Sequence, residues 1–255
     1  LREHLLHTIQ VEISINSLFM TQIINDMNAD NTITFGSVVA IGNFDGVHIG
    51  HQSLIKLIIE RAKSKNSNSG ILSFEPHPRE FFDKQKQSFK IMSTESRRKK
   101  LSKTGLDFII ELPFNQSVAN MEPSTFIEDI LHKKFGITHI IIGQDFKFGK
   151  ARSGNADTLK RLGKTFGIKV EIFEIKKNRN LNISSSRIRD LIKTGEVETA
   201  NDLLGSCHSV IGKVQKGERI GRKLGFPTAN IQFGKCIIPC FGVYASRVRI
   251  LSAQD

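Results

Sequence analysis

The stretch "FGSVVAIGNFDGVHIGHQSLIKLIIERAKSK" (35–65) decides the architecture. Residues 35–44 are an apolar, β-branched run that reads as a buried strand. From 51 to 65, apolar residues at 54, 55, 57, 58, 59 and 62 have the spacing of one helix face. Between them, "AIGNFDGVHIGHQ" (40–52) is a strand-to-helix turn. The alternation continues outward. "GILSFE" (70–75) predicts a strand, and a helix over about 93–103 leads through Gly105 into the strand "LDFIIEL" (106–112). "PSTFIEDILHKKFG" (123–136) opens on proline and stops at glycine, as a helix does. "THIIIG" (138–143) and "IKVEIFEI" (168–175) are strands flanking the helix "NADTLKRLGKTFG" (155–167). Near-continuous apolar strands separated by helices predict an α/β domain, its parallel sheet covered on both faces. Two short helices follow, at 184–195 and 196–205.

Past Gly205 the texture changes. "CHSVIGKVQKG" (207–217) and "GVYASRVRIL" (242–251) alternate apolar and polar residues with no helix between them, the period of antiparallel strands in a partial β-barrel. A boundary near Gly205 divides a domain over 20–205 from a second over 206–255, with 1–19 an N-terminal extension. Composition fits a globular chain: 255 residues, 39% apolar and 20 glycines exclude disorder, collagen and coiled coil. No apolar run is long enough for a membrane span, and Glu3 and Glu12 interrupt any signal-peptide core, so no membrane partner is expected. Three cysteines make no disulfide framework. Cys236 and Cys240 are only half a metal site and read as buried thiols. A cytoplasmic compartment follows, and a homo-oligomer is compatible with all of this.

The balance of 37 basic against 25 acidic residues, +12, favours an anionic partner. The one dense run, Arg97-Arg98-Lys99-Lys100, is read as the solvated end of a helix beginning near Ser93, ahead of a nucleic-acid patch. The anion has a better place to bind. In an open parallel sheet, ligands sit outside the carboxyl ends of strands, beside helix N-termini. Gly42, Gly46 and Gly50 permit close backbone approach there, and His48 and His51, three apart, can face one anion. The segment has neither the P-loop lysine nor the dinucleotide spacing. A second segment, "NISSSRIRDLI" (182–192), opens a helix with Ser184, Ser185 and Ser186. At least one serine caps free amides. With Arg187 and Arg189 they make a second phosphate-binding turn.

"HIGH" resembles the HxGH signature of the nucleotidyltransferase superfamily, which includes class I aminoacyl-tRNA synthetases. Taken in order, "GNFDGVHIGHQ", "FEPHPREFF" (74–82), "GQDFKFGKARSG" (143–154) and "ISSSRIR" (183–189) resemble the FMN adenylyltransferase module of bacterial bifunctional riboflavin kinase/FAD synthetases. "GERIGRKLGFPTANI" (217–231), with its PTAN motif, and "FGVYASRVRI" (241–250) resemble that family's riboflavin kinase module. The resemblance implies a Rossmann-like domain that transfers AMP from MgATP to FMN, giving FAD and pyrophosphate. It implies that His48 and His51 hold the ATP phosphates while Ser184, Ser185, Arg187 and Arg189 close from the other side. Gly42, Phe44, Asp45, Gly46, Gly50, Asp145 and Ser186 would contact substrates. Thr228 and Asn230 would bind magnesium and nucleotide phosphate in the kinase module.

Three departures are visible. Ser186 stands where the family has threonine. Residues 1–19 precede the family's usual start. The sequence ends at Asp255, before the family's glutamate base, so riboflavin phosphorylation is expected to be weak or lost. His77 reads as loop-shaping, and Phe81, Phe82, Phe146 and Phe148 mostly as core. The competing readings are another HxGH nucleotidyltransferase or synthetase-like fragment, which the PTAN segment and the missing lysine loop disfavour, and a basic nucleic-acid binder.

Overall fold

A computed structural model describes residues 21–25, 31–83, 85, 88–174, 183–215, 217, 225 and 228–250. The extension 1–19 and most of 217–229 lie outside them. Six parallel strands form one sheet: β1 (Gln22–Ile24), β2 (Val38–Ile41), β3 (Ser69–Glu75), β4 (Phe108–Pro113), β5 (His139–Gly143) and β8 (Lys169–Phe173), in the order β1-β4-β3-β2-β5-β8. From β2 the chain winds outward through β3 to β4, then returns to the other side of β2 for β5. The strand order therefore reverses at β2, whose carboxyl end is where such sheets bind ligands.

Alternation within the strands supplies two cores. Val39, Ile41, Leu72, Ile110 and Ile140 pack with Phe126, Ile127, Leu131 and Leu159 on one face. Val38, Ala40, Ile71, Ile109 and Ile141 pack on the other with α1 (Ile49–Ser64) and α3 (Thr94–Ser102) through Leu54, Ile55, Ile58 and Leu101. Gly70 has a packing reason, since a Cβ there would come within 2.1 Å of the Phe108 ring. A third cluster joins α7 (Ser185–Thr194) and α8 (Val197–Leu204), with Ile188, Leu191 and Leu203 around Ile91 and Ile237.

Helix α5 (Pro123–Thr125) runs into a π-helical stretch, Phe126–Lys134, and α6 (Ala156–Thr165) is capped by Asn155. Four elements were not expected from sequence: β1, α2 (Pro78–Phe82), α4 (Gln116–Ala119) and the hairpin of β6 (Lys147–Phe148) with β7 (Gly154–Asn155). Past Gly205, β9 (Gly212–Gln215) pairs antiparallel with β10 (Asn230–Phe233).

Three expectations need correction. Residues 242–250 form no strand; Val243 and Val248 are exposed, and no described strand lies alongside to receive their backbone hydrogen bonds. Alternation becomes a strand only where a neighbour pairs with it. The cysteines are not buried: Cys240 is exposed and Cys236 half-buried. The basic run is not solvated. Ser93 does cap α3, accepting from the Ser96 N–H. Arg97 is buried, however, with Nη2 3.0 Å from Glu111 and 3.2 Å from Glu75, and Arg98 also pairs with Glu111. Lys100 donates to the carbonyls of Gly46 and Leu204, leaving only Lys99 outside. Glu111 is a lone carboxylate in a buried strand, and a buried charge needs a partner.

Candidate active site

Strand β2 ends at Ile41, and the chain reverses through a turn built from uncommon backbone. Phe44 (φ 52°) and Val47 (φ 43°) take left-handed conformations, at roughly 1–3 kcal/mol each. Their side chains are buried, which repays that strain. Gly46 (φ 86°) lies where a Cβ would come within 3.1 Å of Ile91 and Leu204. The turn delivers His48 to the N-cap of α1, where its Nδ1 accepts the His51 N–H at 3.2 Å. That bond fixes the tautomer: in the neutral ring Nδ1 is the acceptor, so Nε2 carries the hydrogen.

The two imidazoles stack at 3.6 Å with 14° between planes. Burial, with Lys100 nearby, lowers the His48 pKa to about 4. Burial also holds His51 well below its ordinary value, His48 and Lys100 adding to the effect. Both rings are neutral at neutral pH, as two rings in van der Waals contact should be.

The N-terminus of α7 faces them. Ser184 caps it, its Oγ accepting the Arg187 N–H, while the Ser185 hydroxyl donates to the Asp45 carbonyl at 2.9 Å. Arg189 donates through Nη2 to Asp45 Oδ2 at 2.8 Å and through Nε to the Phe89 carbonyl at 2.9 Å. Asp45 also accepts the backbone N–H groups of Ile91 and Met92. This buried carboxylate thus ties the β2–α1 turn, the 89–92 segment and α7 together.

A cleft of about 280 Å³ opens between the two helix ends. Among the residues expected from sequence, Phe44, Asp45, His51, Ser185 and Arg189 line it. His48 is buried behind His51, and Gly42, Gly46 and Gly50 belong to the turn and the first turn of α1. Ser184 acts as a cap. Ser186 is exposed, and neither it nor Arg187 lines the cleft. Asp145 is exposed in the turn after β5. Thr228 and Asn230 are exposed, with Asn230 opposite Gln215 in the β9–β10 ladder.

Sequence reasoning missed Asn43 and Arg79 and underrated His77, all three of which line the cleft. His77 caps α2, its Nδ1 accepting the Arg79 N–H at 3.0 Å, and its ring meets Phe89 edge-on. Burial, then Arg189 and Lys90, lowers its pKa to about 3. The motif "FEPHPREFF" carried the signal: a histidine just ahead of a proline at a helix's first position is a cap.

Among the described residues, Asp45 is the one carboxylate lining the cleft, and its oxygens are engaged by Arg189 and two amides. The described residues also contain no cluster of three or more His, Cys, Asp or Glu placed to hold a metal. The donor set therefore does not fit a magnesium ion caged by protein ligands.

The FAD synthetase family model matches residues 30–187, and the riboflavin kinase model matches 204–254. This chain belongs to the bifunctional riboflavin kinase/FMN adenylyltransferase family. It is 39% identical over 217 residues to the enzyme of that name from Buchnera aphidicola subsp. Schizaphis graminum, covering 85% of this chain and 70% of that protein. Identity to the Haemophilus influenzae enzyme is 34% over 238 residues, covering 91% and 76%. Among solved structures, one described as a macrolide-efflux protein from Streptococcus pneumoniae aligns with a TM-score of 0.77 at 28% identity, over 88% of this chain and 73% of that one. In a family with two activities, the cleft between α1 and α7 falls within the stretch matched to FAD synthetase, apart from the end of α7 past residue 187. No helix among the described residues is long and apolar enough to cross a membrane.

Proposed function

We propose that this chain transfers the adenylyl group of ATP to FMN in the α1–α7 cleft, releasing FAD and pyrophosphate. The observation that carries this reading is the convergence of two helix N-termini on one small cleft, one bearing stacked neutral histidines and the other an arginine. Helix N-termini favour anions through free amides and the aligned peptide dipoles.

In the reaction an oxygen of the FMN phosphate attacks the α-phosphorus of ATP. A new P–O bond forms as the bond to the bridging oxygen of the β-phosphate breaks, and that oxygen leaves with pyrophosphate. Such chemistry needs positioning and charge neutralisation more than a protein nucleophile. The ring of His51 serves as a neutral donor to the ATP phosphates, and His48, stacked behind it, is assigned to the same phosphates by resemblance, with Gly42, Gly46 and Gly50 allowing the backbone to approach. Ser184 shapes the first turn of α7, and Ser185 and Arg189 close the opposite wall. Arg187 and Ser186 are assigned to the same phosphate-binding turn by resemblance, as Asp145 is to substrate contact. Phe44 supports the His51 ring, their centroids 5.0 Å apart. Magnesium would enter as the counter-ion of ATP, held by phosphate and water oxygens.

The proposed adenylyltransferase unit is 20–205. Residues 206–255 are assigned to the family's riboflavin kinase module, supported by the kinase match, with Thr228 and Asn230 as its magnesium and phosphate ligands. A cytoplasmic location completes the proposal. The test is incubation with FMN and MgATP, and separately with riboflavin and MgATP, followed by chromatography of the flavins. FAD in the first arm is the expected product, and its absence would refute the reading. FMN in the second arm tests the kinase assignment on its own.

A further inference from the structure

Residues 89, 90 and 91 contribute three consecutive backbone contacts. The Phe89 carbonyl accepts Arg189 Nε at 2.9 Å. The Lys90 carbonyl accepts the Ile237 N–H at 2.8 Å, within a parallel bridge between Lys90 and Cys236. The Ile91 N–H donates to the Asp45 carboxylate at 3.0 Å. The last two contacts use opposite ends of one peptide unit. A peptide group is planar and stiff, so fixing its carbonyl also aims its N–H. The bonds at its two ends also polarise each other.

The Ile237 side chain is 3% exposed and packs in one cluster with Ile91, with Ile188 and Leu191 of α7, and with Leu204 of α8. Nearby, Lys235 lies 3.5 Å from Glu80, which pairs in turn with Lys90 at 2.6 Å. Yet 235–237 belong to the stretch matched to riboflavin kinase.

We propose that Ile237 is a positioning residue for adenylyl transfer: it pins the 90–91 peptide that orients Asp45, and through Asp45 the guanidinium of Arg189. This rests on the function assigned to the cleft. Ile237 touches no substrate. Its effect reaches the reaction through Asp45 and Arg189, so it should act on turnover more than on ATP binding.

The test uses the full chain. Ile237→Ala should lower kcat for FAD formation by about 10–10²-fold, the scale of a small misplacement of reacting groups, with a much smaller change in the KM for ATP. Both variants keep the N–H, so the comparison reads the packing that seats it; Ile237→Val retains most of that packing and should restore the rate to within about threefold. Val214→Ala, at an exposed position on β9, serves as the control and should leave kcat unchanged. A second measurement needs no variant. Filling the cleft with a non-hydrolysable ATP analogue should slow hydrogen exchange at the Ile237 amide, because coupling between two sites is reciprocal. If the wild type makes FAD but Ile237→Ala keeps full kcat, or the analogue leaves Ile237 exchange unchanged, the positioning role is wrong. If the wild type makes no FAD and the analogue still protects Ile237, the assigned reaction fails while the coupling stands.

Discussion

Helices α1 and α7 aim their first turns at the same cleft, but they are capped by different chemistry. At α1 the cap is an imidazole, and the group facing the cleft is a second, neutral imidazole stacked on it. At α7 the cap is a hydroxyl, and the group facing the cleft is a guanidinium tied to a buried carboxylate. One wall thus offers hydrogen-bond donors without charge, while the other offers a fixed charge whose direction is set by its partner. The contrast teaches that a phosphate site need not be uniformly cationic. Were His51 and His77 charged beside Arg79 and Arg189, the cleft would suffer mutual repulsion whenever it stood empty.

The comparison breaks most sharply at α1. His51→Ala should reduce FAD formation by roughly 10²–10³-fold, as loss of one preorganised donor does, with FMN affinity little altered. Near-normal turnover in steady-state assays would remove the donor role from this wall.

At the other wall, Arg189→Lys keeps the charge but loses the fork that spans Asp45 and the Phe89 carbonyl. A loss of about 10–10²-fold in kcat is expected, since a lysine cannot hold two acceptors in that planar geometry. If the two enzymes run at equal rates, charge alone matters at α7 and the contrast between the walls weakens.

The neutral histidines make a prediction about pH. In the unfolded chain they bind protons below about 6.5, whereas folded His48 does so only near 4 and His77 near 3. Between those values the unfolded state holds more protons, so acid favours unfolding. Stability should be fully present above about pH 6.5 and fall as pH drops towards 4, by up to about 1.4 kcal/mol per pH unit for each histidine. Urea titrations at a series of pH values, with His48→Gln flattening part of the slope, would check this. A pH-independent midpoint over that window would mean the rings are already charged in the fold.

Ser184→Ala tests the cheapest element. Losing a hydroxyl cap costs about 1 kcal/mol, or roughly 2–4 °C in Tm for a unit of this size. A thermal scan showing no shift would mean that the α7 amides find other partners.

Much of this was legible in the residues. The helices and the central strands follow from periodicity, and the turn 40–52 was placed at the sheet's carboxyl edge because a strand and a helix leave it no other position. Strand β1 was not legible, because three residues at a sheet edge are too few to show a period. Asp45 and Arg189 were both named, but their mutual bond spans 144 positions and leaves no trace in local pattern. The inward turn of the basic run has its signal in the single carboxylate of Glu111 amid the apolar run "FIIEL" (108–112). A histidine between prolines, as His77 is, reads as a loop residue until the helix it caps is seen.

The Glu111 cluster carries a consequence for inheritance. With two arginines on one enclosed carboxylate, replacing Glu111 alone leaves buried Arg97 with only Glu75 as a counter-charge and takes the carboxylate from Arg98, and removing Arg97 alone strips Glu111 of one partner. Either single change should cost several kcal/mol, whereas swapping the set for apolar residues of similar volume can be neutral or better. Mutational paths through this corner therefore cross a valley. A genetic screen that begins from a damaged Glu111 allele should recover second-site suppressors at Arg97 and Arg98 ahead of simple surface changes.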